Sequence, residues 1–502
     1  MIVLRQGNII QPTYDSTGNK ITGLVNPDGT TTSFSGGTSK LRCVVTRTQI
    51  PNTVNATRFG FNFRTEIKAT EDLSSIMAEF PNWYSPVNNS SNELTPGGAA
   101  TLHAAIEFNG AIVGEFKFNG STIGSAADGD NFVADTLNLS TIIPAGDSFF
   151  VRGQYINAAG TVYHTYSPGL NDGLELSATT SFTDKTLSGT IAYSSTGSYA
   201  PLVIAQNTAR KAYISFGDSI AAGNGDIPNG NMAIGIFSNI ANYGGYINAS
   251  VGSNAVTNFN TPANSAKRRY LAKYADYILT NFGYNDIAGL GQNANNVITA
   301  LNAFIALFPT TPVYVSTPTQ ATTSTDRWCS PTNQTLTAQG PALQGLRERM
   351  RRGASSFGLN GVYKVLDVAS ATDAKITAAG AATNESQLIA AGFRRSITDG
   401  AITSGASTLT SASAAFTSAD NGCFVVIMGA GGSGAALLGV LNVTNGTTAT
   451  ITTPTADGTN LTASTTVSGA TVYIDATVLT FDGLHLNPMG YNRVRSSGVV
   501  TP

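Results

Sequence analysis

Residues 211–225 read KAYISFGDSIAAGNG. The first six form a short apolar run of strand-forming residues that leads straight into Gly217-Asp218-Ser219. A strand that runs into such a turn lifts the serine to the carboxyl end of a sheet, where open α/β folds place their ligands. Gly217 and the small Ala221, Ala222 and Gly223 let the backbone turn sharply and come close to a substrate. Taken alone, Gly-Asp-Ser is an ordinary turn. Its weight comes from the chain on either side.

Downstream, strands and helices alternate. ANNVITALNAFIALF (294–308) has apolar residues at helical spacing and is followed by the strand-like TPVYVSTP. GPALQGLRERMRRGASSFG (340–358) is amphipathic and is followed by GVYKVLDVA. This alternation predicts a parallel sheet covered by helices. Arg347, Arg349, Arg351 and Arg352 read as a solvated helix face.

Upstream, residues 40–205 read as all-β. LRCVVTRTQI and TRFGFNFRTEIKA alternate, and TLHAAIEFNGAIVGEFKFNGSTIG carries Asn-Gly pairs at 109–110 and 119–120. Asn-Gly favours the tight turns that match strand twist, so consecutive hairpins are expected. Many short strands with frequent turns predict a β-sandwich of the jelly-roll kind. His103 and His164 fall in these runs and read as half-buried strand histidines.

Between 397 and 477 the alternation stops. DGAITSGASTLTSASAAFTSADNG is almost free of charge, and FVVIMG, AALLGVLNVT, TATITT and ATVYIDAT read as short strands between turns. The expected organisation has four parts. Residues 1–39 form an N-terminal attachment or flexible segment. Residues 40–205 form the sandwich, for carbohydrate binding or assembly. An α/β domain occupies 206–396 and 478–502, and a small β domain at 397–477 is spliced into one of its loops.

Composition narrows the function. Lys and Arg number 28 against 30 Asp and Glu, and only 12% of residues are charged. A net charge of -2 argues against a nucleic-acid binder. No stretch reaches the roughly 18 apolar residues of a membrane span, so no membrane insertion is expected. The N-terminal MIVLRQGNIIQPTYDS lacks the apolar core of a signal peptide. Three distant cysteines, Cys43, Cys329 and Cys423, give neither a disulfide framework nor a zinc pattern. No metal or cofactor is expected.

Three further stretches carry candidate chemistry. Gly252 lies in INASVGSNAV, where Gly244 and Gly245 compete with it as turn glycines. Asn285 lies in NFGYNDIAG after the strand-like ADYILT and offers a side-chain amide. Asp482 and His485 stand three residues apart in FDGLHLNPMG, just before a helix that Asn487 and Pro488 would start. A serine hydroxyl is a weak nucleophile at neutral pH. It needs an imidazole as base, and a carboxylate to hold that imidazole in the right tautomer. A Asp-x-x-His pair can also bind metal, but no further His or Cys cluster supports that.

Taken together and in order, these four stretches resemble the SGNH (GDSL-like) hydrolase superfamily. Ile220 stands where the family name has Leu. The resemblance covers about residues 207–395 and 478–502, and implies a flavodoxin-like three-layer α/β/α fold and ester hydrolysis. By position it implies Ser219 as nucleophile, His485 as base and Asp482 as its orienting acid. It also implies an oxyanion hole from the backbone N–H groups of Ser219 and Gly252 and the side chain of Asn285. Asp218 and Asp286 are left to hold loops.

The inserted run, with VTNGTTATIT and TTVSGATVY, resembles a small β-module of bacteriophage tail spikes and tail fibres. GLVNPDGTTTSF near the N-terminus is similar to short virion-attachment segments. This second resemblance implies a virion protein of the phage tail, commonly a homotrimer beside other tail proteins. The expected substrate is an acylated bacterial surface polysaccharide, capsule or lipopolysaccharide, which would lose O-acetyl groups. The alternatives are a cellular secreted carbohydrate esterase or lipase-like hydrolase, and a non-catalytic receptor-binding tail protein.

Overall fold

The computed structural model describes the strands Gly23–Val25 and Thr31–Ser33, and residues 39–502. Within the latter, 166–168, 170, 195–196, 229, 231, 326–327, 329–333, 354–357, 377–383, 390, 393–394, 454–458, 475–476, 481 and 483 are excepted. Most of the attachment segment expected at 1–39, and Cys329, lie outside the described residues.

Two antiparallel sheets build the N-terminal half. One joins 131–133, 73–81, 203–208 and 40–43, with 137–143 on the side; the other joins 173–177, 60–68, 148–157, 100–108 and 111–115, with 123–126. Strand alternation sends Phe61, Phe63, Phe80 and Tyr155 into a core that Phe116 and Tyr199 join from the connections, all of them all but sealed from solvent. Phe61 stacks on Tyr155 with centroids 4.9 Å apart, and Phe63 meets Tyr199 edge-on at 5.0 Å. Asn109 and Gly110 both have positive φ, as the hairpin between 100–108 and 111–115 requires. Asn119 and Gly120 do too, but their turn closes only the Phe118–Ser121 bridge, and the next strand, 123–126, returns to pair with 100–108 in place of a second hairpin.

A five-stranded parallel sheet follows. Its strands, in chain order, are Ala212–Phe216, Gly245–Asn248, Tyr277–Thr280, Val313–Ser316 and Lys364–Leu366. Their spatial order is 2-1-3-4-5, with every pairing parallel. The first and third strands are neighbours whose chains leave toward opposite edges. That divergence opens a crevice at their carboxyl ends.

The helices are α1 (Ser219–Ala222), α2 (Val256–Phe259), α3 (Pro262–Tyr270), α4 (Tyr284–Ala288), α5 (Ala294–Ala306), α6 (Gly340–Arg351), α7 (Val368–Thr372) and α8 (Pro488–Ser496). They cover both faces of the sheet. Ile214, Phe216, Ile278, Val313 and Val315 join Val256, Phe259, Val297, Leu301, Phe304, Leu343 and Leu346 in one core. The alternate residues Tyr213, Tyr246, Leu279 and Tyr314 join Ile220, Phe237, Val368, Tyr491 and Val494 in another. The α/β architecture nevertheless describes only part of the chain. The molecule as a whole is rich in strands, and most of its helices are one or two turns long.

Residues 395–474 form a closed six-stranded barrel around Leu409, Val425, Ile427, Ala449, Ile451, Val472 and Ile474. At its base Ala391 and Gly392 pair antiparallel with Val478 and Thr477. That pairing brings the two ends of the insertion together, and the chain re-enters the α/β core at Leu479, which is fully buried.

One expectation is overturned. Arg347 is not on a solvated face: it is 1% exposed and paired with Asp373 at 2.6 Å. It also donates to Pro318 O at 2.8 Å. Its charge is buried because α6 lies over the sheet, where Leu343, Leu346 and Met350 are fully buried. Arg349 and Arg351 do stay near the surface, bonded to Asn295 and Asp367.

Candidate active site

Ser219 is the first residue of α1, directly after the first parallel strand. Asp218 caps that helix by accepting from Ile220 N at 2.9 Å, and Asn281 grips it by donating Nδ2 to Oδ1 at 2.6 Å. Gly217 has no alternative: a Cβ there would stand 2.1 Å from Asn281 Oδ1 and 2.7 Å from Ala221 Cβ. Burial pushes the Asp218 carboxyl up to about 6, against the pull of the Asn281 and Ile220 hydrogen bonds.

Ser219 Oγ lies 2.7 Å from His485 Nε2, and His485 Nδ1 lies 2.6 Å from Asp482 Oδ2. The other Asp482 oxygen accepts from the backbone N–H groups of His485 at 2.8 Å and Leu484 at 3.0 Å. A carboxylate three residues upstream thus holds both the ring and the main chain of the histidine. Burial works against the Asp482 charge, but the hydrogen bonds from His485 outweigh it and hold the carboxyl below its usual range. Thr480 Oγ1 donates to His485 O at 2.7 Å and fixes the loop from behind. Asn487 caps α8 by accepting from Gly490 N, and Tyr491 of that helix donates to Asn224 O at 2.9 Å, tying α8 to the segment after α1.

Of the three competing glycines, Gly244 and Gly245 lie at the wrong end of the sheet: Gly245 is in register with Ala212, at the start of the first strand. Gly252 follows the second strand at its carboxyl end, where Val251 N donates to Gly217 O at 3.0 Å. Asn285 sits in the first turn of α4, entered through Gly283 at φ 137°, a conformation that favours glycine. Its Nδ2 donates to Asn254 O at 3.1 Å. Asp286 points away, capping α2 through Val256 N and Thr257 N at 2.9 Å each.

Three neighbours escaped the sequence reading. Asn254 joins the Gly252 and Asn285 loops, Thr480 braces His485, and Tyr284 has its phenol held above its usual range by burial and by the nearby Asp482 and Asp218. Only the density of Asn in INASVGSNAV hinted at the first. Away from the site, His103 is held between Asp184 at 2.6 Å and Glu115 at 2.7 Å, partners that the sequence did not reveal. His164 is buried with Nδ1 2.9 Å from Ile50 O, and burial lowers its pKa to about 4, so it is neutral at pH 7. Cys43 is buried and Cys423 half-exposed. Among the described residues no group of three or more His, Cys, Asp and Glu side chains could hold a metal, and no helix is long and apolar enough to cross a membrane.

No protein-family model matches the chain, and no curated protein sequence matches it. Solved structures similar to it include an acetyl xylan esterase, AlAXEase, at 17% identity over 32% of this chain and 78% of that one, with a TM-score of 0.23. A family two carbohydrate esterase from Clostridium thermocellum in complex with cellohexaose is 12% identical over 63% and 87%, with a TM-score of 0.23. A peptidoglycan O-acetylesterase is 10% identical over 66% and 67%, with a TM-score of 0.24. Identities and scores this low leave the reading of the site to its own geometry.

Proposed function

We propose that this chain is a serine ester hydrolase of the SGNH type, with a flavodoxin-like three-layer α/β/α catalytic body, and that it removes O-acetyl groups from a bacterial surface polysaccharide as part of a phage tail. The observation that carries the enzymatic reading is the unbroken Ser219–His485–Asp482 hydrogen-bond chain at the carboxyl end of the parallel sheet.

In this reading Ser219 Oγ attacks the acyl carbon while His485 Nε2 takes its proton. The tetrahedral intermediate collapses, the sugar hydroxyl leaves with that proton, and Ser219 is left acylated. Water then attacks, His485 takes its proton, and acetate departs as Ser219 regains a proton. Asp482 keeps Nδ1 protonated and stabilises the imidazolium. The oxyanion is held by the N–H groups of Ser219 and Gly252 and by Asn285 Nδ2. The first-turn amides of a helix have no intrahelical partner, so α1 can offer its own.

Support for the polysaccharide and tail context comes from the composition and from the inserted module. A neutral, polar, weakly charged chain suits a protein that works outside cells on glycans. The barrel comes close to the loop that carries His485: a cavity of about 440 Å³ is lined by its Gly431, Leu437 and Leu461, by Trp328, and by Thr480, the residue that braces His485.

The test is acetate release from a set of O-acetylated capsular and lipopolysaccharide glycans. Release by the native chain and none by Ser219→Ala is expected. Equal release by Ser219→Ala overturns the catalytic assignment, and no release from any glycan, with binding intact, favours a receptor-binding protein.

A further inference from the structure

The sandwich loop at 88–93 is gripped by the hydrolase body. Four successive main-chain carbonyls accept side-chain hydrogen bonds from it: Asn88 O from Asn254 Nδ2 (3.1 Å), Asn89 O from Asn258 Nδ2 (2.8 Å), Ser90 O from Asn264 Nδ2 (3.1 Å) and Ser91 O from Arg268 Nη2. Loop carbonyls are ordinarily left to water. Ser91 Oγ in turn accepts from Ala255 N at 2.9 Å and donates to Ala255 O at 3.0 Å. At the centre is a buried ion pair: the side chains of Arg268 and Glu93 are 0% and 2% exposed. Glu93 Oε1 accepts from Arg268 N at 2.8 Å and from its Nε at 3.2 Å.

This clamp ends on one residue of the candidate site. Arg268 Nη1 donates to Asn254 Oδ1 at 2.5 Å. Asn254 Nδ2 also lies 3.3 Å from Gly252 O, and Asn254 O accepts from Asn285 Nδ2 at 3.1 Å. Asn254 therefore touches both loops that would hold the oxyanion. A side-chain amide has two N–H groups. With one spent on Asn254 O, the Asn285 amide plane is fixed and the second N–H remains for an anion.

We propose that Asn254, held by Arg268 and by the Asn88 carbonyl, is the positioning residue for the oxyanion site. The inference rests on the esterase reading above. Misplacing a donor by about 1 Å can cost on the order of 100-fold in rate.

The test compares Asn254→Ala with Asn264→Ala in the full chain, using p-nitrophenyl acetate. Both variants remove an amide that holds the same loop, and only the first touches the oxyanion loops. Asn254→Ala is expected to lower kcat by about 10- to 100-fold with KM within about twofold, while Asn264→Ala keeps kcat within about threefold. Asn254→Asp keeps the acceptor for Arg268, replaces the two donated bonds with a carboxylate oxygen facing the Asn88 and Gly252 carbonyls, and should lower kcat in the same direction should the alanine variant fail to fold. Equal kcat for the Asn254 and Asn264 variants, at equal thermal stability, reduces the clamp to a domain contact and overturns the proposal. An inactive native chain instead removes the esterase reading and the proposal with it.

Discussion

His485 Nε2 lies 2.7 Å from Ser219 Oγ although 266 residues separate them in the chain. The closed barrel lies between them in sequence, and the pairing of Ala391–Gly392 with Thr477–Val478 cancels its length by returning the chain to its point of departure. Asp482 then acts locally, through bonds to the ring and the backbone of the same histidine. The imidazole is thus oriented by short-range contacts, and only its delivery to Ser219 depends on the fold.

Asp482→Asn tests the local part. Its amide can still occupy the site but presents the wrong hydrogen-bonding group to Nδ1. In a triad of this kind the expected fall in kcat is about 10²- to 10⁴-fold, with the fold retained. Steady-state kinetics with far-UV circular dichroism checks both halves.

Asn285→Ala removes one proposed oxyanion donor. Loss of such a donor costs about 2.7–4 kcal/mol of transition-state stabilisation, a fall of roughly 10²- to 10³-fold in kcat. KM for a small acetyl ester should change little. A variant that raises KM and leaves kcat intact would place Asn285 in ground-state binding instead.

Asp218 predicts a pH dependence of stability. Its folded pKa, about 6, lies above the ordinary 3.8, so between these values the folded protein holds a proton that the unfolded chain has lost. Its contribution is full below pH 3.8 and is lost as pH rises through about 6; a shift of this size is roughly 3 kcal/mol. Relative to the native chain, Asp218→Asn should therefore gain about 2–3 kcal/mol between pH 4 and pH 7.5 in urea denaturation. A difference that is flat with pH would contradict this.

Arg347→Met removes the guanidinium that pairs with the buried Asp373 carboxylate at 2.6 Å. Breaking such a pair from one side costs about 3–5 kcal/mol, which urea denaturation would show. Adding Asp373→Leu should recover part of the loss, since removing both charges together spares the uncompensated one.

What the sequence disclosed was whatever local chemistry determines. Asn109–Gly110 announced its hairpin because few other residues accept positive φ twice in succession, whereas Asn119–Gly120 makes a tight turn closing only the Phe118–Ser121 bridge, its flanking strands both pairing with 100–108 instead. α5, α6 and α8 followed from apolar spacing and from the Asn487–Pro488 start. Asp482 and His485 were legible because they share one loop. What stayed hidden depends on distant partners. Arg347 reads like its neighbours in sequence, and only Asp373 and the sheet beneath α6 bury it. Asn254 looks like any turn asparagine until the 88–93 loop arrives from the other half of the chain.

The most direct test of the account is the reaction of the native chain with a fluorophosphonate, followed by peptide mass spectrometry. A serine whose proton is taken by an adjacent imidazole is phosphonylated selectively. The account predicts modification at Ser219 alone, lost in His485→Ala. Labelling of another serine, or equal labelling of Ser219 without His485, would contradict it.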